Sequence, residues 1–152
     1  MSQRNPRHRR PTPQNMDATP CPCGLPAAYR DCCGRLHRGQ GRAATAEQLM
    51  RSRYSAFAVG DRDHLMRSWH PRTRPRHLEL DPGIEWLRLE VLSSTGGTPF
   101  HQEGTVDFRA VHRQGGCEEV LAEHSRFVRH EGEWVYLDAL ADGIEGLSGH
   151  AP

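Results

Sequence analysis

Four of the five cysteines of this chain fall within thirteen residues, as Cys21-Pro22-Cys23-Gly24 and Cys32-Cys33-Gly34. Thiols at this C-x-C-x8-C-C spacing can converge on one metal ion. Thiolate is a preferred ligand of zinc, and a structural zinc site takes four ligands in a tetrahedron. Cys21 and Cys23 can reach one ion from a turn whose backbone Pro22 keeps extended. Gly24 then supplies a positive φ that lets the chain curl back. Leu25 to Asp31 is long enough for one short helical turn, which returns Cys32 and Cys33 to the same ion, and Gly34 frees the exit. The metal takes the place of a core, because so short a segment cannot bury enough apolar area to fold alone. Four protein thiols leave no open coordination position, so a zinc ion here is structural.

Other chemistries fit less well. Disulfides suit secreted proteins, and the N-terminal stretch has no apolar run of the kind a secretory signal needs. A disulfide between adjacent Cys32 and Cys33 is strained, and no C-x-x-C redox pair is present. His37 could substitute as a ligand, but an ordinary surface histidine after the knuckle is the preferred reading. Cys117 stands alone in a strand-like run and reads as a small buried hydrophobe.

These thiols need elements to position them, and the chain divides accordingly. Residues 1–20 read as a disordered tail, 21–42 as the zinc knuckle, 43–140 as a globular domain with its own core, and 141–152 as a flexible C-terminal tail. Met16 opens a tidy start just before the knuckle, and translation beginning there is an expectation. An N-terminal peptide of native protein containing residues 1–15 would exclude it. Thr45 caps a helix with Gln48 completing a capping box. Apolar residues recur at Ala46, Leu49, Met50, Tyr54, Phe57 and Ala58, which is helical spacing, and Gly60 fits the position just past the end. Asp61 caps a shorter helix through Leu65, Met66 and Trp69, which Pro71 stops. Four strands follow at residues 84–93, 105–113, 120–129 and 134–140, with glycine-containing turns between them. Val120, Ala122 and Val128 set the expected phase of the third strand. Helices followed by antiparallel strands give an α+β plan, with helices on one side of a curved sheet.

Lysine is absent, and all 20 basic residues are arginine. The net charge of +1 hides a bipolar chain. Residues 1–42 carry net +6, residues 43–77 net +4 and residues 78–152 net −9. A basic N-terminal half points to an acidic partner, such as an acidic protein, a ribosome surface or RNA. Equally, the two halves of one fold can attract each other. No apolar run approaches the length of a membrane span. Reduced thiols and the missing export signal point to the cytoplasm.

Taken together, CPCGLPAAYRDCCGRLHRG, TAEQLMRSRYSAFAVGD, HLMRSWHPRTRP and RFVRHEGEWVYLDA resemble the YchJ family. CPCG…CCG resembles the SEC-C motif, the zinc-binding tail motif of the SecA translocation ATPase. The resemblance runs from about Cys21 to Ala139. It implies an N-terminal SEC-C knuckle with ligands Cys21, Cys23, Cys32 and Cys33, then a domain similar to nuclear transport factor 2, a cone of curved sheet closed by helices. In SecA a histidine stands where this chain has Cys33. SEC-C motifs usually continue with Ser-Gly and lysines, and here Leu25-Pro26-Ala27-Ala28 follow instead. Some YchJ-like proteins carry a second SEC-C motif at the C-terminus, but this chain has no cysteine after Cys117.

Two classes of function are compatible with these residues. The SEC-C motif of SecA contacts a chaperone and the ribosome, which makes a zinc-stapled adapter the preferred reading. Arg30, Arg35, Arg38 and Arg42 would then meet phosphates or an acidic protein face. The alternative is a small-molecule binder or enzyme of isomerase or dehydratase type, because folds similar to nuclear transport factor 2 often hold a pocket inside the cone. His70, His124, Asp107 and Asp138 are the acid–base candidates there, with Arg53, Tyr54, Trp69 and Trp134 as walls. Each has a plainer role. Tyr54 and Trp69 suit the core, Arg53 a buried ion pair with a strand acid, His124 a satisfied sheet histidine and His70 a helix end. A third possibility is a homodimer through the open sheet face, an arrangement common in this fold.

Overall fold

The structure, a computed structural model, describes residues 16–140. The expected disordered residues 1–15 and the flexible tail of residues 141–152 lie outside the described residues. The fold is α+β. A cysteine-rich knuckle is followed by helices packed on one face of a curved four-stranded antiparallel sheet of order β1-β2-β3-β4. The strands are β1 (Glu85–Gly96), β2 (Glu103–Gln114), β3 (Cys117–His130) and β4 (Glu133–Ala139). They run longer than the apolar alternation indicates, because ladder pairing continues through polar residues into the hairpin turns. Register irregularities at Val91/Ser93 and Arg126/Phe127 increase the local twist and curl the sheet.

Before the sheet come three helices: α1 (Cys33–His37), α2 (Ala46–Val59) and α3 (Arg62–Arg67). The expected caps of the longer two are in place. Thr45 Oγ1 accepts from the Gln48 N–H at 3.1 Å, and the Gln48 side-chain Oε1 in turn accepts from the Ala44 N–H. Gly60 takes a φ of 80° just past the end of α2, where a Cβ would be penalised. The Asp61 carboxylate caps α3 through the His64 N–H.

α2 is the hub of the molecule. Ala46, Leu49, Met50 and Tyr54 face the sheet and meet Val106, Phe108, Ala110, Leu121, Phe127, Trp134 and Tyr136 in the main core. Phe57 is half-buried against Trp86. A second face carries Ser52, Ser55 and Ala56, all fully buried, and this face meets the knuckle.

The phase of β3 differs from the expected one. Leu121, Glu123, Ser125 and Phe127 point into the core, while Val120 is exposed and Ala122 and Val128 are half-buried. Register decides this. Residues directly opposite each other share a face of the sheet, and the core residues Ala110, Phe108 and Val106 pair with Leu121, Glu123 and Ser125. Two polar residues therefore face inward where apolar alternation placed valines. Cys117 is also corrected. It is exposed at the start of β3, paired with Gln114 at the hairpin end, where neither sheet face is covered.

Candidate functional site

The four cysteines of the knuckle converge. Their Sγ atoms all lie within 4.8 Å of one another, with 3.6 Å between those of Cys23 and Cys32. Local structure brings them together much as their spacing indicates. The Cys21 N–H donates to Ala27 O, and the Gly24 N–H to Cys21 O, with Gly24 at a φ of 91°. A 3-10 turn over Tyr29–Asp31 then leads into α1. Gly34 does more than free the exit. A Cβ there would sit 2.6 Å from the Tyr29 carbonyl oxygen, so any larger residue would push the 3-10 turn off α1. Met16–Pro20, assigned by sequence to the tail, are tied to the knuckle. Asp17 and Thr19 carbonyls accept from the Arg30 and Tyr29 N–H groups, and the Asp17 carboxylate pairs with Arg38.

The donor set fits a soft cation. Hydrogen bonds from the Cys23 and Cys33 thiols hold Cys21 far below the usual thiol range. Cys33 is driven up as the donor to Cys21, and burial pushes Cys32 up to about 12. Four thiolates so close and so buried require a compensating cation, and binding one would release the remaining protons.

The knuckle is seated on α2 and α3 by side chains that sequence reasoning did not assign to it. Cys21 Sγ lies 3.7 Å from Ser55 Oγ, and Arg51 donates to the Cys23 carbonyl at 2.8 Å. Arg67 reaches from α3 to the His37 carbonyl at 2.6 Å. His37 is neither a ligand nor a surface histidine. It is 8 % exposed and bridges the two parts. Its Nε2–H donates to the Ser52 carbonyl at 2.8 Å, which leaves Nδ1 to accept from the Tyr29 hydroxyl at 2.5 Å. Its ring packs 4.5 Å from that of His64, whose Nε2 meets Ser52 Oγ at 2.9 Å. Ser52 Oγ donates to Leu49 O, so His64 Nε2–H is the donor to Ser52. Burial lowers His37 and takes His64 down to about 2. Both rings are neutral in this network.

The residues considered for a cone pocket do not gather in one place. Tyr54, Trp69 and Trp134 are core, as expected of the first two, with Trp134 Nε1 donating to Ala44 O at 3.1 Å. Arg53 is 1 % exposed. Its guanidinium donates to Leu65 O and Ser68 Oγ at 2.8 Å each and lies over the rings of Trp69 and Tyr136. The strand acid that shares its interior is Glu123, which accepts from Ser125 Oγ and whose negative charge interacts with Arg53. Burial lowers Arg53 to about 10 and raises Glu123 to about 7. The space among Met50, Arg53, Phe108, Ser125, Phe127 and Tyr136 leaves no volume for a water molecule. Asp107 and His124 pair with each other on the opposite, outer face of the sheet, where Ser93 also donates to Asp107. Asp138 is held by both Arg126 nitrogens at 2.7 and 2.6 Å. His70 lies on the loop after α3, its ring accepting from the Arg72 N–H and meeting the His130 ring edge-on.

The knuckle-then-cone order and the sequence relatives decide the family. Residues 45–139 match the family profile described as YchJ, middle NTF2-like domain. The chain belongs to the YchJ family. A UPF0225 protein of Streptomyces coelicolor is 54 % identical over 123 residues, covering 81 % of this chain and 96 % of that protein. One from Xanthomonas oryzae is 48 % identical over 130 residues, covering 84 % and 98 %. Among solved structures, a SEC-C motif containing protein of Rhodopseudomonas palustris superposes with a TM-score of 0.72 at 34 % identity, covering 82 % of this chain and all of that one. Another from Psychrobacter arcticus gives 0.68 at 26 % identity, covering 81 % and 82 %. Among the described residues of this YchJ-family chain, no helix is long and apolar enough to cross a membrane.

The sequence signal for the docking face was present but ambiguous. Ser52 and Ser55 lie three apart inside a helix, a spacing that normally marks a solvated face. The neighbouring Ala56 and Val59 indicate a helix covered on two sides.

Proposed function

We propose that this chain is a zinc-stapled adapter of the cytoplasm, in which one structural zinc ion fixes the knuckle to the cone and the arginines around it bind ribosomal RNA. The observation that carries a binding role over a catalytic one is the filled interior around Arg53, which leaves no volume for a water molecule, let alone a substrate. Zinc fits the four thiols. Tetrahedral bonds of about 2.3 Å put sulfur atoms about 3.8 Å apart, close to the 3.6 Å between Cys23 and Cys32 and inside the 4.8 Å bound of the set. When bound, the ion supplies cross-linking of two chain segments and no chemistry, since all four positions are protein thiols.

The basic surface is narrower than the arginine count indicates. Arg38 is paired with Asp17, Arg42 with Glu133, and Arg67 is spent on α1 carbonyls. Arg35 and Arg62 remain exposed beside the knuckle. Phosphate contacts by such residues weaken steeply with salt. The test is co-sedimentation of the intact protein with purified ribosomes at 50 and 200 mM salt, beside an Arg35→Glu/Arg62→Glu variant. Salt-sensitive binding lost in the variant supports the reading. No binding at 50 mM salt overturns it, as does capture of an acidic ribosomal protein that persists after nuclease treatment.

A further inference from the structure

The β1–β2 loop, residues 97–102, presents Phe100 to solvent at 94 % exposure. A phenylalanine so exposed forfeits the free energy that its burial would gain. The loop that carries it is held from every side. Within the loop, the His101 N–H donates to Thr98 O, the Phe100 N–H to Thr98 Oγ1, and Thr98 Oγ1 meets His101 Nδ1 at 2.6 Å. Its base is locked to α2, because Ala46 N–H donates to Gly97 O at 2.9 Å. Gly97, at a φ of 68°, leaves no room for a Cβ, which would come within 2.8 Å of the Ala46 side chain.

The far side of the loop is clamped by Arg129 of β3. Its guanidinium donates to His101 O at 2.8 Å, Pro99 O at 3.0 Å and Gly132 O at 3.2 Å, and it lies over the Trp134 ring. One arginine therefore joins the tips of both hairpins at this end of the sheet. Rigid display of an aromatic side chain lowers the ordering cost of inserting it into a partner.

The charge around Phe100 selects the kind of partner. Arg129 keeps its one positive charge, with its N–H donors taken by three carbonyls and its face by a ring, and Arg42 is paired with Glu133. Glu103 is exposed beside the loop, and the Glu131 side chain, on the turn that Arg129 clamps, is 87 % exposed. These two carboxylates outnumber the Arg129 cation, and the excess of negative charge disfavours nucleic acid and anionic lipid. We infer that the two clamped hairpin tips form a docking surface on which Phe100 inserts into an apolar pocket, rimmed by basic side chains, of a partner protein. This surface is independent of the arginines beside the knuckle, and its test is separate from the ribosome experiment.

The experiment uses the full chain with the photo-crosslinking residue p-benzoylphenylalanine at position 100, and separately at Leu92, which is 60 % exposed on β1. After irradiation in living cells, a discrete protein adduct is expected from position 100 and not from position 92. The adduct partner is identified by mass spectrometry, purified, and titrated by calorimetry with wild type, Phe100→Ala and Glu103→Lys/Glu131→Lys. Phe100→Ala should weaken binding at least about tenfold, as loss of an aromatic anchor does, with an unchanged melting temperature. The charge-reversed variant should weaken it further at low salt than at high salt. Equal adducts at both positions, adducts only to RNA or to a second copy of this chain, or unchanged affinity of Phe100→Ala would each overturn the inference.

Discussion

The two faces of α2 are covered by different kinds of matter. On the sheet side, Leu49, Met50 and Tyr54 meet phenylalanine, tryptophan, valine and leucine, and one cation, Arg53, sits among them. On the knuckle side, Ser52 and Ser55 meet a histidine, a thiol and backbone carbonyls, over a cluster of buried residues made only of Cys21, Cys23, Tyr29 and Cys33. The apolar side gains its free energy from area removed from water, which chain length can supply. The knuckle side has little such area, and its bonds are worth about 1 kcal/mol each in net terms. It depends on whatever holds the four thiols together. The same helix can therefore be firmly seated on one face and conditionally seated on the other.

Removing the proposed metal tests that difference most severely. Cys23→Ser, or chelation of the wild type, should release the knuckle, since coupled metal binding and folding amounts to about 10–16 kcal/mol in small zinc modules. Amide exchange over residues 16–38 should rise to unprotected rates, while β2 and β3 stay protected and the cone melts as one unit. If the whole chain unfolds together on chelation, the two sides are not separable and the contrast is broken.

Next in size is Arg53→Ala, which leaves Glu123 buried without its cationic neighbour and should cost about 3–5 kcal/mol in denaturant unfolding. Arg53→Met combined with Glu123→Gln should recover most of that loss, as replacement of both charged partners by neutral groups often does.

Acidity separates the two sides in opposite directions. Free histidine titrates near 6.5 and buried His64 near 2, so between those values the unfolded chain binds the extra proton. Stability falls as the pH drops below 6.5, by about 2 kcal/mol at pH 5 for His64, and His37 shifts in the same direction. The titratable and charged groups acting on this pair are Tyr29, Cys21, Asp61, Arg53 and Arg67. Glu123 runs the other way. Its raised value of about 7 against an ordinary 4.5 means that the native chain holds the proton longer, and stability falls as the pH rises through that window. Thermal melts from pH 5 to 7 should show a steeper rise in stability for Glu123→Gln and a flatter one for His64→Gln. A flatter profile in Glu123→Gln would reverse the assignment.

The smallest effect is expected from Tyr29→Phe, which strips His37 Nδ1 of its buried donor and should cost about 1–2 kcal/mol. Exchange protection should fall at α1 before it falls in the strands. A uniform change across the chain would show that the knuckle and the cone share one stability.

How much of this was legible beforehand varies with the residue. The thiol cluster, the Thr45 and Asp61 caps and the positive φ of Gly24 and Gly60 rest on local covalent geometry and short-range bonds, and they are where the sequence puts them. The phase of β3 is not legible from hydrophobic pattern, because Val120 and Val128 outrank Glu123 and Ser125 on any hydrophobicity scale. Only the pairing of Val106 and Phe108 across the ladder turns those two polar residues inward. His37 looked like a surface residue, since its partners Ser52 and His64 lie 15 and 27 positions further along the chain.

By itself, the sequence determined the cluster of four thiols, the order of helices before strands and the family, because each is a matter of residue type at short spacing. Only the tertiary structure decided that the cone is filled around Arg53, that Asp107 and His124 face outward, and that the knuckle is bolted to α2 through two neutral histidines. Those outcomes depend on which face each strand turns to the core and on partners distant in the chain. Local pattern carries no record of either.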